Sequence, residues 1–286
     1  MKIIECPRDA MQGIHEFIPT QKKINYINSL LNVGFDTIDF GSFVSPKAIP
    51  QLQDTAEVLA GLDLSSTSSK LLAIIANKKG AETAVQYDEI NYLGYPFSIS
   101  ETFQLRNTNS TIAASEQLLD EILALVSKNN KELVVYLSMA FGNPYGDAWN
   151  ANIVGEWTEK MVKKGIKILA LSDTIGSSDV SSITYLFKHL IPSYPDVEIG
   201  AHLHTRSETA LEKLKAAYEN GCRRFDGAIN GLGGCPMAKD DLTGNMPTES
   251  ILSYAEANNI TLSIDHKAFS EAKKLADFTF PKYNEA

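Results

Sequence analysis

Cysteine is scarce. Cys6, Cys222 and Cys235 are the only three in 286 residues. They are too few and too scattered for a disulfide framework, and no two form the CxxC pair of a zinc site. A basic excess is also missing: 35 acidic residues face 26 basic ones, for a net charge of −9 and a pI near 5.1. That balance excludes the broad cationic face of a nucleic-acid binder. It leaves room for an anionic small molecule, because a few cations in a pocket outweigh a distant negative surface. No apolar run is long enough to span a bilayer, and "MKIIECPRDA" enters a strand-like run without the core of a signal peptide. A cytoplasmic protein with no membrane partner is therefore expected. The GxGxxG turn of a dinucleotide-binding sheet is absent as well. Histidine is rare, at five residues, yet two of them share "GAHLHTR".

What is present is an alternation. Hydrophobic residues make up 44% and charged residues 21%, an ordinary globular balance. Short apolar runs ("KIIE", "DTIDFG", "LLAIIA", "DEINYLGY", "ELVVYLSM", "KILALSD", "VEIGAHLH", "RRFDGAI") are each followed by a stretch with helical spacing. Strands separated by helices pair in parallel, and eight such units in this length predict a single α/β domain, a closed (β/α)8 TIM barrel. An open doubly wound sheet is the alternative fold. The domain is expected to span 1–286, with the barrel to about residue 260 and a C-terminal helical segment over about 261–286.

In such barrels chemistry gathers where strands end. The first strand leads to Arg8, Asp9 and Gln12, and the second to Asp39, Ser42 and Lys47. The fifth ends near Ser138, the sixth at Asp173 and Thr174, and the seventh at His202 and His204. The eighth runs into "NGLGGCPMAKDDLTGN", with Asn230, Cys235 and Asn245. Side chains two apart on a strand point the same way, so His202 and His204 share a face. They are either two hydrogen-bonded barrel-lining histidines or two ligands of one ion. Asp9 lies only one strand away from them in a closed barrel. With the amide oxygen of Asn245 the four make a nitrogen–oxygen donor set without thiolate, which suits Mg²⁺ or Mn²⁺ over structural zinc. Arg8 beside Asp9 either steadies a developing anion or forms an ion pair with Asp39 or Asp173. Strand geometry would aim Arg8 and Asp9 apart, whereas a loop just past the strand could let them converge. Cys235, on a glycine-rich loop over the mouth, suits a general acid or nucleophile, whereas Cys6 and Cys222 suit packing. Lys47 either anchors an anionic group or is solvated. His15, His189 and His266 have no partners in sequence and read as structural.

These motifs, in this order, resemble the 3-hydroxy-3-methylglutaryl-CoA lyases of the DRE-TIM metallolyase superfamily, over nearly the whole chain. "PRDAMQ" is similar to the family's PRDGLQ, "SFVSPKAIPQLQD" to SFVSPKWVPQM-x-D, and "SDTIG" to GDTIG. "AHLH" resembles its HxH strand, and "GLGGCP" with "TGN" its cysteine loop. "GLGGCP" and "SFVSPK" are the specific parts. The resemblance implies a divalent-metal-dependent carbon–carbon lyase that cleaves 3-hydroxy-3-methylglutaryl-CoA to acetyl-CoA and acetoacetate. It implies Asp9, His202, His204 and Asn245 as ligands of Mg²⁺ or Mn²⁺, and Arg8 as the group that steadies the enolate. Asp173 would place or deprotonate the substrate hydroxyl, a role also open to His202, and Cys235 would protonate the enolate. Gln12, Asp39, Ser42, Lys47 and Thr174 would contact the acyl-CoA. A homodimer is expected. Departures are Thr205 where the family has Asp or Asn, Leu203 between the histidines, Asp39 in place of Glu, and "AKDD" in a longer loop between Cys235 and Asn245. The alternatives are a lyase or condensing enzyme of the superfamily with another acyl-CoA, a thiol hydrolase using Cys235, and a non-catalytic barrel that binds CoA esters.

Overall fold

The computed structural model describes residues 1–234 and 243–280. In chain order it runs β1 (Lys2–Glu5), α1 (Pro7–Gln12), α2 (Thr20–Leu31), β2 (Thr37–Ser42), α3 (Thr55–Ala60), β3 (Lys70–Ile74), α4 (Lys78–Ala84) and β4 (Ile90–Ser98). It continues α5 (Glu101–Thr108), α6 (Ile112–Lys128), β5 (Glu132–Ser138), α7 (Ala151–Lys163), β6 (Ile168–Asp173) and α8 (Val180–Ser193). It ends β7 (Glu198–Leu203), α9 (Ala210–Glu219), β8 (Arg224–Gly227), α10 (Thr248–Ala257) and α11 (His266–Thr279). The eight strands pair in sequence order, all in parallel, and β8 closes on β1. The expected TIM barrel is the observed fold, and the open sheet is excluded. No helix among the described residues is long and apolar enough to cross a membrane.

The strand pattern explains the layers. Strands buried on both faces read as continuous apolar runs. One set of side chains, such as Ile38, Leu71, Leu93, Val135 and Leu169, packs under the helices in the main core. The alternate set from β3 to β6 (Leu72, Tyr92, Val134, Tyr136, Ile168 and Ala170) forms a separate small core inside the barrel. The other side of the interior is polar. Arg224, Asp226 and His202 stand on β7 and β8 in adjoining registers.

Two elements differ from the sequence reading. "PRDAMQ" forms a short helix with Pro7 in its first turn, where Pro loses no hydrogen bond that a helix would make. "ETFQLRNT" forms α5, capped by the Ser100 side chain on the Phe103 amide. The C-terminal segment is helical as expected: α11 packs against α2, and Phe280 sets its ring edge-on to Tyr26 at 5.2 Å.

Candidate active site

A cavity of about 410 Å³ opens at the strand C-termini. Its floor is polar, with Arg8, Asp9, Gln12, Tyr136, Ser138, Ser172, Thr174, His202 and His204. Its upper wall is mostly apolar, from Val44, Ala48, Ile49, Leu52 and Phe103, with Arg106 and Asn107 at the rim.

The turn into α1 aims Arg8 and Asp9 together, where an extended strand would part them. Arg8 Nη1 donates to Asp9 Oδ1 (2.9 Å) and Gln12 Oε1 (2.8 Å). Its Nε donates to both oxygens of Asp39 (3.2 and 3.0 Å) and Nη2 to Oδ2 (2.6 Å). This is the ion pair with Asp39 foreseen above, here combined with a place in the cavity. Burial would lower the guanidinium's pKa, but Asp39 and Asp9 outweigh it and hold Arg8 charged. Burial pushes Asp39 up to about 6 against the pull of Arg8, so at neutral pH it remains the anion that orients the guanidinium. Asp39 is fully buried and does not line the cavity.

Asp9, His202 and His204 bring one donor atom each within 4.8 Å of one another. Burial works to raise Asp9, yet Arg8, the two histidines and Asn245 hold it down at about 2, a permanent carboxylate. His204 is pushed down to about 4 by burial and by neighbouring His202, so its imidazole is neutral. Both its ring nitrogens are buried and meet no hydrogen-bond partner among the described residues. Buried polar atoms left unpaired are costly, and two on a neutral imidazole beside a carboxylate suit a metal ligand. His202 Nδ1 lies 3.1 Å from Asp226 Oδ2, which leaves Nε2 for the cavity. Burial opposes its protonation, but Asp226 and Asp9 raise its pKa on balance. The donor set therefore fits a divalent ion.

Asn245 reaches this corner through the end of β7. Residue 245 bridges His204 in antiparallel fashion, and Thr205 N–H donates to Gly244 O (2.9 Å). Its Nδ2 donates to Asp9 Oδ2 (2.7 Å) and Leu232 O (2.8 Å). The "GLGG" backbone presses close here. A Cβ at Gly233 would lie 2.6 Å from Asn245 Nδ2 and 2.7 Å from Asp9 O, and its φ of +96° suits glycine.

The remaining sequence candidates divide. Gln12, Ser42 and Thr174 line the cavity, whereas Lys47 is exposed and outside it. Asp173 is buried and lies behind the wall. Its oxygens accept from Ser178 N–H (3.2 and 3.1 Å), Ser178 Oγ (2.5 Å) and Lys213 Nζ (3.0 Å). Lys213 also donates to His204 O (3.0 Å), so this pair props the histidine's backbone. Cys235 lies outside the described residues. Sequence reading missed Tyr136 and Asp226. Tyr136 stands two before Ser138 on β5 and so shares its face. Asp226 is the lateral partner of His202, and only the register reveals that.

Comparison with known proteins agrees with this geometry. The family model described as HMGL-like matches residues 2–276. A Bacillus subtilis hydroxymethylglutaryl-CoA lyase is 34% identical over 93% of this chain and 89% of its own length. A Pseudomonas aeruginosa protein named 3-hydroxy-3-isohexenylglutaryl-CoA/hydroxymethylglutaryl-CoA lyase is 30% identical over 95% and 90%. Among solved structures, an HMG-CoA lyase from A. baumannii in complex with coenzyme A and 3-methylmalate superposes with a TM-score of 0.88 at 31% identity, over 100% of this chain and 97% of that one. With the barrel, the HxH strand and the PRD turn in place, the chain belongs to the HMGL-like family.

Proposed function

We propose that this chain is a divalent-metal-dependent carbon–carbon lyase that cleaves 3-hydroxy-3-methylglutaryl-CoA into acetyl-CoA and acetoacetate. The observation that carries the reading is the neutral His204, without a hydrogen-bond partner among the described residues, beside the Asp9 carboxylate and His202, under Arg8, in a cavity with a polar floor. Relatives across bacteria and animals that share most of the chain's length bear the same activity in their names.

Asp9, His202 and His204 would hold the ion, with Asn245 fixing Asp9 and offering its amide oxygen as a further ligand. Mg²⁺ or Mn²⁺ suits this set. A bound ion would act as a Lewis acid and make the substrate's tertiary hydroxyl easier to deprotonate. Loss of that proton lets the bond between C2 and C3 break, leaving a ketone on one fragment and its electron pair on the thioester fragment. Arg8, oriented by Asp39, meets the developing enolate oxygen with a fixed charge. Cys235 would return a proton to the enolate carbon, which completes acetyl-CoA. Asp173 is assigned a positioning role, since Ser178 and Lys213 occupy its oxygens. Gln12, Ser42 and Thr174 line the acyl pocket, and Arg106 at the rim is placed to meet anionic groups of the CoA arm.

The deciding assay is acetyl-CoA release from a panel of 3-hydroxyacyl-CoA thioesters, with and without Mg²⁺ or Mn²⁺. Release from the methylglutaryl substrate, abolished by EDTA and restored by the ion, is expected. No release with either ion would overturn the reading.

A further inference from the structure

Below His202 the interior holds a second polar group that the lyase reading leaves unused. Asp226 on β8 stands beside His202 on β7 by strand register. Its Oδ2 lies 3.1 Å from His202 Nδ1. An ionised carboxylate only accepts, so the proton between them sits on the histidine. The other oxygen, Oδ1, lies 4.0 Å from Arg224 Nε. Arg224 is 1% exposed, one of the most deeply buried large side chains. Its Nη1 donates to Glu198 Oε1 (3.2 Å). The strand makes room for it: a Cβ at position 200 would lie 2.8 Å from Arg224 Cδ, so only Gly200 fits there. On the opposite side, the Tyr136 ring meets the His202 ring edge-on, with centroids 5.5 Å apart.

A buried guanidinium is hard to keep unless its charge serves a partner. Here Glu198 takes a hydrogen bond from one end of the guanidinium, and Asp226 is the second anion it faces, at 4.0 Å. Four polar atoms in this group have no hydrogen bond among the described residues: Arg224 Nε and Nη2, Asp226 Oδ1 and Tyr136 Oη. Cys6 also lies near His202 and Asp226, in a spacing a metal could use. The guanidinium next to Asp226 opposes a second cation there.

We propose that Asp226 and Arg224 are positioning residues for His202. Together they hold its ring with the proton on Nδ1 and the Nε2 lone pair toward Asp9 and His204. Asp226 sets the tautomer, and Arg224 holds the carboxylate in place from its other oxygen. The metal-affinity part of this proposal rests on the lyase reading's ligand set; the tautomer part does not.

The test uses metal-free protein with ¹⁵N-labelled histidine, at a pH where the imidazoles are neutral, with His202→Ala for assignment. Wild type should show His202 protonated at Nδ1. Asp226→Asn can donate or accept, so its His202 should show a mixture of tautomers. Its Kd for Mn²⁺, from calorimetry without substrate, should rise about 10–100-fold, the range for losing a group that orients a metal ligand. Arg224→Met should shift both readouts the same way, by about 10-fold in Kd, and Arg224→Lys should recover most of the loss because the charge returns. If Arg224→Met fails to fold, Arg224→Lys and Asp226→Asn carry the test, since neither empties the interior. Wild-type tautomer in Asp226→Asn overturns the proposal, whatever happens to the melting temperature. A wild type with the Nδ1–H tautomer and tight Mn²⁺ binding but no acetyl-CoA release overturns the lyase reading and leaves this one standing.

Discussion

The β1 and β6 corners each deliver an aspartate at the end of a barrel strand, and each pairs it with a buried cation. At the β1 corner Arg8 comes from the same helical turn as Asp9. It engages Oδ1 from the side, so the carboxylate stays in the cavity wall with His202 and His204. At the β6 corner the cation is Lys213, on α9. It reaches in from the helix layer and turns Asp173 away from the cavity. Residue type and end of the barrel are the same, though Asp9 lies in the turn of helix after β1 and Asp173 ends β6 itself; what differs most is the side from which the cation arrives. A neighbour on the same turn leaves a carboxylate free to act, whereas one from the next layer converts it into a bracket.

Removing Asp9 should break this comparison most severely. Asp9→Asn deletes a proposed ligand charge and leaves Arg8 with one anion in place of two. Metal affinity should fall at least about 100-fold, the upper end for losing a supporting group, and acetyl-CoA release should fall with it. Calorimetric titration with Mn²⁺ checks the first and a coupled acetyl-CoA assay the second. Wild-type Mn²⁺ affinity would remove Asp9 from the site.

Arg8→Lys is next in size. Lysine keeps the charge but cannot engage Asp39, Asp9 and Gln12 through separate faces of one planar group. The expected fall in kcat is about 10²–10³-fold, comparable to losing one donor that stabilises an oxyanion. A raised KM with unchanged kcat would mean that Arg8 binds substrate and transition state equally.

These contrasts also show where sequence reading reaches its limit. The eight strands and their order were legible because a barrel's strands are short, apolar and regularly spaced. Asp9, His202 and His204 were legible because strand ends face the mouth and period-two alternation puts the histidines on one face. The direction of Asp173 was not, because it depends on Lys213, forty residues later on another layer. The sequence leaves the Arg8–Asp9 convergence open, since a loop past the strand could bring the two together; the helix that does so starts at Pro7. Asp226 was hidden in the register of β7 against β8, which no local pattern encodes.

Asp173→Asn sharpens the comparison from the other side. It leaves the Lys213 ammonium buried without its anion, and breaking one partner of a buried pair costs about 3–5 kcal/mol. Chemical denaturation should show that loss. If Asp173 is only a bracket, kcat of the folded fraction should stay within about threefold of wild type, because its hydrogen-bonded route to His204 runs through Lys213 and the backbone carbonyl. A loss as large as that of Arg8→Lys, with the fold intact, would restore Asp173 to the chemistry.

The smallest effect comes from a third carboxylate, which pairs with no cation among the described residues. Glu5 ends β1, just beneath the Asp9 corner, and is fully buried. It accepts from Ile229 N–H (2.9 Å), and Thr248 Oγ1 lies 2.6 Å from Oε2. Burial pushes its pKa up to about 8, against the smaller downward pull of those two contacts. A carboxyl raised in the folded state favours folding while it is protonated. Its contribution is complete below the unfolded value of 4.5 and is lost as pH rises toward 8. Asp9, held at about 2, contributes with the opposite sign and is constant above pH 5. Glu5→Gln has no proton to lose. Its melting temperature, relative to wild type, should therefore climb between pH 5 and pH 8, by about 2–4 °C for each kcal/mol of stability that the wild type loses across that window. Wild-type and variant curves that stay parallel across that window would mean Glu5 is charged in the fold, and that a buried carboxylate here needs no cation at all.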